Sequence, residues 1–274
     1  MTEPATASRT ERRATARRRR RFSIIALALL AVLAFSVGGV VVATSGGGAD
    51  EPAAVKAAPT PTTTTIPPTT STTIPPAASV ATTKVSDLQV FDGPGSTKVL
   101  TSFSAKTEYL APRTFLVTEQ QGDWLKALLP MRPNQSEGWI RSSDVTLSQN
   151  PYLITVNLAA HELVLTKDGQ EMLRTAIVGG APRTPTPLGT YYITDPVDLR
   201  SRPGGAYGAY ALGLSGYSEV LFEFNGGPGQ IAIHGTNNPE LIGQDVSNGC
   251  VRINNDAIVQ IATTAPLGTP VVIT

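Results

Sequence analysis

Residues 231–252 read IAIHGTNNPELIGQDVSNGCVR. The stretch opens on an apolar run, Ile231-Ala232-Ile233, that predicts a β-strand ending at His234. It closes on Ser247-Asn248-Gly249, a short polar turn that presents Cys250. Cys250 is the single cysteine of the chain, and His234 is one of two histidines, the other being His161. A free thiol has a pKa of about 8.5 and is mostly protonated at neutral pH, so it needs a neighbouring imidazole or a positive dipole to become a nucleophile. Cys250 and His234 are the minimal pair for that task. The competing reading is a small buried thiol and a satisfied core histidine.

Composition narrows the chemistry further. One cysteine in 274 residues forbids an intrachain disulfide, and three Cys and His residues cannot build a multi-ligand zinc site. His161-Glu162 does not begin a His-Glu-x-x-His zinc motif, because position 165 is Leu; His161 is expected on an exposed strand. No phosphate-binding glycine motif occurs, and neither metal nor cofactor is expected. The net charge of +1 hides an asymmetry: residues 1–21 hold eight Arg against Glu3 and Glu11, or +6, leaving 14 basic and 19 acidic residues, or −5, for the rest. Confinement of the basic excess to one terminal run argues against a nucleic-acid partner.

That run, residues 1–21, reads as a cytoplasmic tail preceding 22–44, which carry no charge. At 1.5 Å per residue they would make a helix of about 34 Å, enough to cross a hydrocarbon core of about 30 Å. The positive-inside rule then puts the N-terminus in the cytoplasm and everything after it outside. Ala43-Thr44-Ser45 would serve as a cleavage site if the segment were instead a signal peptide, and either reading exports the remainder. An exported lone cysteine has no disulfide partner, and Gly249 leaves room for a substrate carbonyl, which favours chemistry at Cys250 over simple burial. Residues 45–83 contain seven Pro and eleven Thr, with Thr-Thr-Ile-Pro-Pro at 64–68 and again at 72–76. Too few large apolar side chains are present to offset chain entropy, so this is expected to be a disordered, extended spacer of up to about 120 Å.

Residues 84–149 change to short apolar runs between turn signals: Leu88-Gln89-Val90-Phe91, Asp92-Gly93-Pro94-Gly95, Thr114–Val117, Gly122–Leu129 and Gly138-Trp139-Ile140. This predicts a small all-β barrel. The run Gly122–Pro130 and the later Gly138-Trp139-Ile140 with Asp144-Val145 resemble bacterial SH3-like domains. Trp124 and Trp139 fit either its core or a ligand groove. Residues 150–274 are again mostly β, with strands expected at Tyr152–Leu158, Glu162–Leu165, Leu173–Val178, Thr190–Thr194, Ile231–His234 and Val271–Thr274. Lys167–Gln170 is expected to form a hairpin turn. One helix is expected over Asp256–Thr263, capped by Asn254 or Asn255.

His234-Gly235, followed by Ser247-Asn248-Gly249-Cys250-Val251-Arg252, resembles the signature of the L,D-transpeptidase catalytic domain of the YkuD type. Upstream, Thr184-Pro185-Thr186-Pro187-Leu188-Gly189-Thr190 is similar to the family's Pro-Thr-Pro-x-Gly turn, so the resemblance covers essentially all of 151–274. It implies a β-sandwich catalytic domain acting on peptidoglycan stem peptides outside the membrane. Cys250 would be the nucleophile, His234 the general base, and the Gly235 carbonyl the group that fixes the imidazole tautomer. The amides of Gly249 and Cys250 would form an oxyanion hole, with Ser247 and Asn248 in the same loop and Arg252 bracing it or attracting a carboxylate. Acylation by a carbapenem is a further implication. The family's second histidine is replaced here by Asn248. Between 194 and 230, glycines with Tyr207, Tyr210 and Tyr217 suggest a substrate flap. The leading expectation is therefore a membrane-anchored cell-wall cross-linking enzyme, a transferase. The alternatives are an L,D-carboxypeptidase on the same substrate and a catalytically weak wall-binding protein.

Overall fold

Seven strands open the computed structural model, which describes residues 77–274: β1 (Ala78–Thr83), β2 (Asp87–Phe91), β3 (Val99–Ser104), β4 (Thr114–Gln121), β5 (Trp124–Leu128), β6 (Glu137–Arg141) and β7 (Val145–Asn150). The basic tail, the apolar segment 22–44 and the spacer through residue 76 lie outside the described residues, so the expected membrane anchor does too. The seven strands pair antiparallel in the order β3-β2-β6-β5-β4-β1-β7. Side chains alternate across a strand, and here the inward set, Leu88, Val90, Phe115, Leu125, Ala127 and Ile140, forms its own core. Trp124 meets Phe91 edge to face at 5.2 Å, with the Arg141 guanidinium stacked over both rings, so this tryptophan is part of the packing.

One boundary is corrected. The spacer was expected to run through residue 83, yet Ala78–Thr83 are the strand that joins β4 to β7. Val80 and Ala81 are fully buried there. Two small apolar residues suffice because both edges of β1 are paired, a long-range circumstance that local composition does not register.

The remainder builds β8 (Tyr152–Asn157), β9 (Glu162–Lys167), β10 (Gln170–Ala176), β11 (Gly179–Gly180), β12 (Gly189–Asp198), β13 (Tyr210–Tyr217), β14 (Gln230–His234), β15 (Asp245–Ser247), β16 (Val251–Arg252), helix α1 (Asn255–Thr264) and β17 (Pro270–Ile273). Eight of these strands form one sheet, ordered β10-β9-β8-β17-β12-β13-β14-β16, and β11 pairs with β15 separately. The C-terminal strand β17 therefore lies in the middle of the sheet, parallel to β8 and antiparallel to β12. Helix α1 begins where expected: the Asn254 side chain accepts the Asp256 amide at 2.9 Å. It buries Ala257, Ile258 and Ile261 in the core shared by Ile154, Leu165, Leu214, Ile233 and Val251. Each fully buried Ile contributes about 1.5–3 kcal/mol, enough for a ten-residue helix that would not persist alone.

The two sheets meet in a seam. Leu116, Leu128 and Tyr192 pack together, Tyr192 donates its hydroxyl to the Leu128 carbonyl at 3.2 Å, and Asn150 donates to Thr269 Oγ1 at 2.9 Å. His161 departs from expectation. It occupies a turn between β8 and β9 with φ 49°, and its Nε2 lies 3.1 Å from Asp245 Oδ1 on β15.

Candidate active site

Strand register brings the cysteine and histidine together. β14 pairs in parallel with β16, Ile233 opposite Val251 and His234 opposite Arg252. Extending that register by one residue sets Cys250 beside Ala232. Ile233 and Val251 point into the core, so by alternation Ala232, His234, Cys250 and Arg252 share the opposite face. Two short sequence motifs sixteen residues apart thus converge because both end on neighbouring strands.

His234 is buried, and its Nδ1 lies 2.6 Å from the Gly235 carbonyl. A carbonyl only accepts, so Nδ1 carries the proton and Nε2 keeps its lone pair. Burial pushes the imidazole pKa down to about 4, with the Arg252 charge adding to the effect; the carbonyls of Gly235 and Tyr207 oppose it. Burial likewise raises the Cys250 thiol pKa, partly offset by the Ala232 backbone and by Arg252. The resting pair is a neutral thiol and a neutral imidazole. The Tyr207 ring meets the imidazole at a tilt of 56°, with centroids 4.7 Å apart.

The loop before Cys250 is held from within. Ser247 is fully buried; its hydroxyl accepts the Gly249 amide at 3.1 Å and donates to the Cys250 carbonyl at 2.6 Å. Gly249 adopts φ 105°, a region that an L side chain enters only with strain. The Gly249 amide, expected in an oxyanion hole, is therefore already engaged by Ser247. The Cys250 amide has no hydrogen-bond partner among the described residues and stays available. Asn248 is exposed at the turn. The upstream Thr184–Thr190 motif packs on this loop: Ser247 O accepts from the Ala181 amide and from Thr184 Oγ1, each at 2.9 Å.

Arg252 braces through its backbone, exchanging hydrogen bonds with Val178 at 2.8 and 3.1 Å. Its Nε is buried and has no partner among the described residues. Of the three tyrosines expected at a flap, only Tyr207 touches the pair. Tyr210 donates to Asp198 Oδ2 at 3.0 Å, with Arg200 over its ring, and Tyr217 donates to the Pro130 carbonyl at 3.0 Å. Both sit on β13, whose pairing with β14 shifts register between Gly213 and Tyr217, and Gly213 and Gly216 are positions of close packing rather than signs of a loose flap.

Asn255 escaped the sequence reading except as a possible cap. With Asn254 capping α1, Asn255 is free to bridge two segments. Its Oδ1 accepts the amides of Ala209 at 3.0 Å and Thr236 at 3.2 Å, and its Nδ2 donates to the Thr236 carbonyl at 2.8 Å. A side chain at either Gly208 or Gly235 would collide with Asn255 Oδ1. The clamp thus fixes the turn after His234 against the segment that carries Tyr207. Its only sequence signal was a second Asn beside a sufficient cap.

A fold with this Cys-His face corresponds to a known class of catalytic domain. Residues 151–273 match the family described as the L,D-transpeptidase catalytic domain, YkuD. YkuD of Bacillus subtilis strain 168 is 37% identical over 123 residues, which are 45% of this chain and 66% of that protein. YqjB of the same organism is 34% identical over 133 residues, or 47% of this chain and 73% of that protein. Among solved structures, Bd1075 of Bdellovibrio bacteriovorus is similar at 26% identity, covering 46% of this chain and 48% of that one, with a TM-score of 0.37. The chain belongs to the YkuD family of L,D-transpeptidase catalytic domains, and it spans 66% of the length of YkuD itself.

Proposed function

We propose that the protein is a peptidoglycan L,D-transpeptidase working outside the cell membrane, with Cys250 as nucleophile and His234 as general base. The observation that carries this reading is the shared face of β14 and β16, which bears both Cys250 and His234, with the Gly235 carbonyl fixing the tautomer that leaves Nε2 unprotonated. Nε2 takes the thiol proton as Sγ attacks the carbonyl carbon of an L,D peptide bond in a stem tetrapeptide. The Cys250 amide donates to the developing oxyanion. On collapse, the imidazolium passes its proton to the departing amine of the terminal D-residue, leaving a thioester on Cys250. An amine from a second stem peptide then attacks the thioester carbonyl, its proton going to His234. The thiolate leaves and recovers that proton, and an amide cross-link remains. Arg252 disfavours the imidazolium and favours the thiolate, effects that oppose each other in this proton transfer, so its contribution is through its backbone, which holds β16 against Val178.

The same reading makes the seven-stranded sheet of residues 78–150 an SH3-like module, 22–44 a membrane anchor with residues 1–21 in the cytoplasm, and the Pro/Thr-rich segment before the sheet a spacer reaching into the wall. Incubation with disaccharide-tetrapeptides, followed by mass spectrometry, tests it. Cross-linked dimers support transpeptidation; tripeptides alone indicate that water replaces the amine, as in a carboxypeptidase. A folded protein giving neither product, nor a carbapenem adduct on Cys250, would be a wall-binding protein instead.

A further inference from the structure

One of the two histidines has no part in the proton transfer, yet it is bonded to the strand that leads into the nucleophile. His161 sits at the turn between β8 and β9 with φ 49°. Few residues other than glycine enter that left-handed region, histidine being among those that tolerate it, and a residue found there is held by its surroundings. Here the holding contacts are explicit. The His161 carbonyl accepts the Ile177 amide at 3.0 Å, the Ile177 carbonyl accepts the Gly243 amide at 2.8 Å, and the imidazole Nε2 lies 3.1 Å from Asp245 Oδ1. A carboxylate oxygen accepts, so Nε2 carries the proton of that bond.

Asp245 opens β15, which runs through Val246 to Ser247. This strand has a narrow footing. It pairs only with β11, Gly179 opposite Asp245 and Gly180 opposite Ser247, and a ladder of two strands is marginal by itself in water. The two glycines bring no side chains to pack on it, and none would fit: a Cβ on Gly179 would collide with Asp245 Oδ1, and one on Gly180 with the backbone of Thr184–Thr186. Asp245 and Val246 are exposed. Among the described residues, the only hydrogen bond that a side chain outside 239–252 makes to residues 243–246 comes from His161. From Ser247 the connection to the thiol is direct, because its hydroxyl donates to the Cys250 carbonyl and accepts the Gly249 amide. Two steps along a strand therefore separate the His161–Asp245 contact from the hydroxyl that shapes the nucleophile turn.

We propose that His161 is a positioning residue for Cys250: through Asp245 it anchors β15, and so sets Ser247 and the turn that presents the thiol. Both histidines then serve one site, His234 by moving a proton and His161 by holding the loop. In its consequence for turnover this rests on the transpeptidase reading, but the contacts themselves do not.

The test is made on the full-length chain by hydrogen exchange, which needs no peptidoglycan substrate, and separately by the rate of thioester formation from disaccharide-tetrapeptide. His161→Asn keeps a residue that tolerates positive φ but is one bond too short to reach Asp245. It and Asp245→Ala should each speed amide exchange over 247–250 by roughly fivefold, the scale of one lost hydrogen bond, while amides of β8 and β9 exchange as in wild type. The double variant should go no further than the larger single variant, because both remove one contact. His161→Gln, whose amide nitrogen stands as many bonds from Cα as Nε2 does, should return exchange to within twofold of wild type. Exchange over 247–250 within twofold of wild type in His161→Asn, an increase spread evenly through the domain, effects that multiply in the double variant, or no rescue by glutamine would overturn the proposal. If exchange responds as expected while the wild type forms no thioester, the transpeptidase reading fails and the positioning role stands. If His161→Asn forms the thioester at the wild-type rate, the positioning role fails and the transpeptidase reading stands.

Discussion

Lowering the pH from 7 to 4 should remove a specific share of stability that belongs to His234. In the unfolded chain the imidazole protonates near its ordinary pKa of about 6.5. In the folded protein burial holds it to about 4. The folded-state value is depressed, so the contribution is fully present above pH 6.5 and is lost as the pH falls toward 4. Between those values the unfolded state binds more protons, and stability falls by up to about 1.4 kcal/mol per pH unit, about 3 kcal/mol in all. Urea unfolding at a series of pH values measures it, provided that His234→Gln is run alongside; glutamine does not titrate and its amide can still donate to the Gly235 carbonyl. The carboxylates that salt bridges and hydrogen bonds hold below their ordinary pKa, Glu137 and Glu171 among them, also weaken the fold in acid. They are common to both proteins and cancel in the difference. The wild-type minus variant stability should therefore decline between pH 6.5 and 4 and stay level above. A difference that is flat to within about 0.5 kcal/mol over that range would mean that the imidazole is not a buried neutral base, and the proton transfer from Cys250 would lose its physical footing.

Three substitutions probe the loop and the clamp. Ser247→Ala deletes both the acceptor for the Gly249 amide and the donor to the Cys250 carbonyl, and should cost about 1–3 kcal/mol while speeding hydrogen exchange at the Gly249 amide; unchanged exchange would show that the hydroxyl does not hold the turn. Gly249→Ala forces a Cβ onto φ 105° and should cost about 1–3 kcal/mol by urea unfolding, with Cys250 acylation slowed; wild-type stability would refute the strained turn. Asn255→Ala breaks three hydrogen bonds between the His234 turn and the Tyr207 segment and should lower stability by about 2–3 kcal/mol; a wild-type carbapenem acylation rate in a destabilised protein would confine Asn255 to a structural role.

Much of the site was legible because its parts are local. The alternation of Ile231 and Ile233 announced β14, Asp168-Gly169 announced the hairpin between β9 and β10, and a polar Asn pair announced α1. The convergence of His234 with Cys250 followed from family resemblance, and the structure supplies its cause in the β14 and β16 register. What stayed hidden depends on partners distant in sequence. Arg132 meets carbonyls 86 to 96 residues away, and Tyr217 a carbonyl 87 residues away, distances over which no pattern in the chain carries a signal. The Gly and Tyr content of 194–230 suggested a loose flap, but pairing with β12 and β14 on either side made β13 a strand. The Gly249 amide was assigned to an oxyanion because a sequence cannot show that Ser247, two residues earlier, folds back to accept it.

The central claim is that Cys250, activated by His234, forms a thioester with a stem peptide. Wild type and Cys250→Ala, incubated with disaccharide-tetrapeptide and quenched in acid, can be digested and examined by mass spectrometry. The account predicts an acyl adduct on the Cys250 peptide of the wild type, matched by release of the terminal D-residue, and neither in Cys250→Ala. A folded wild-type protein that shows no adduct and releases no D-residue, or a Cys250→Ala variant that still releases it, would contradict the account.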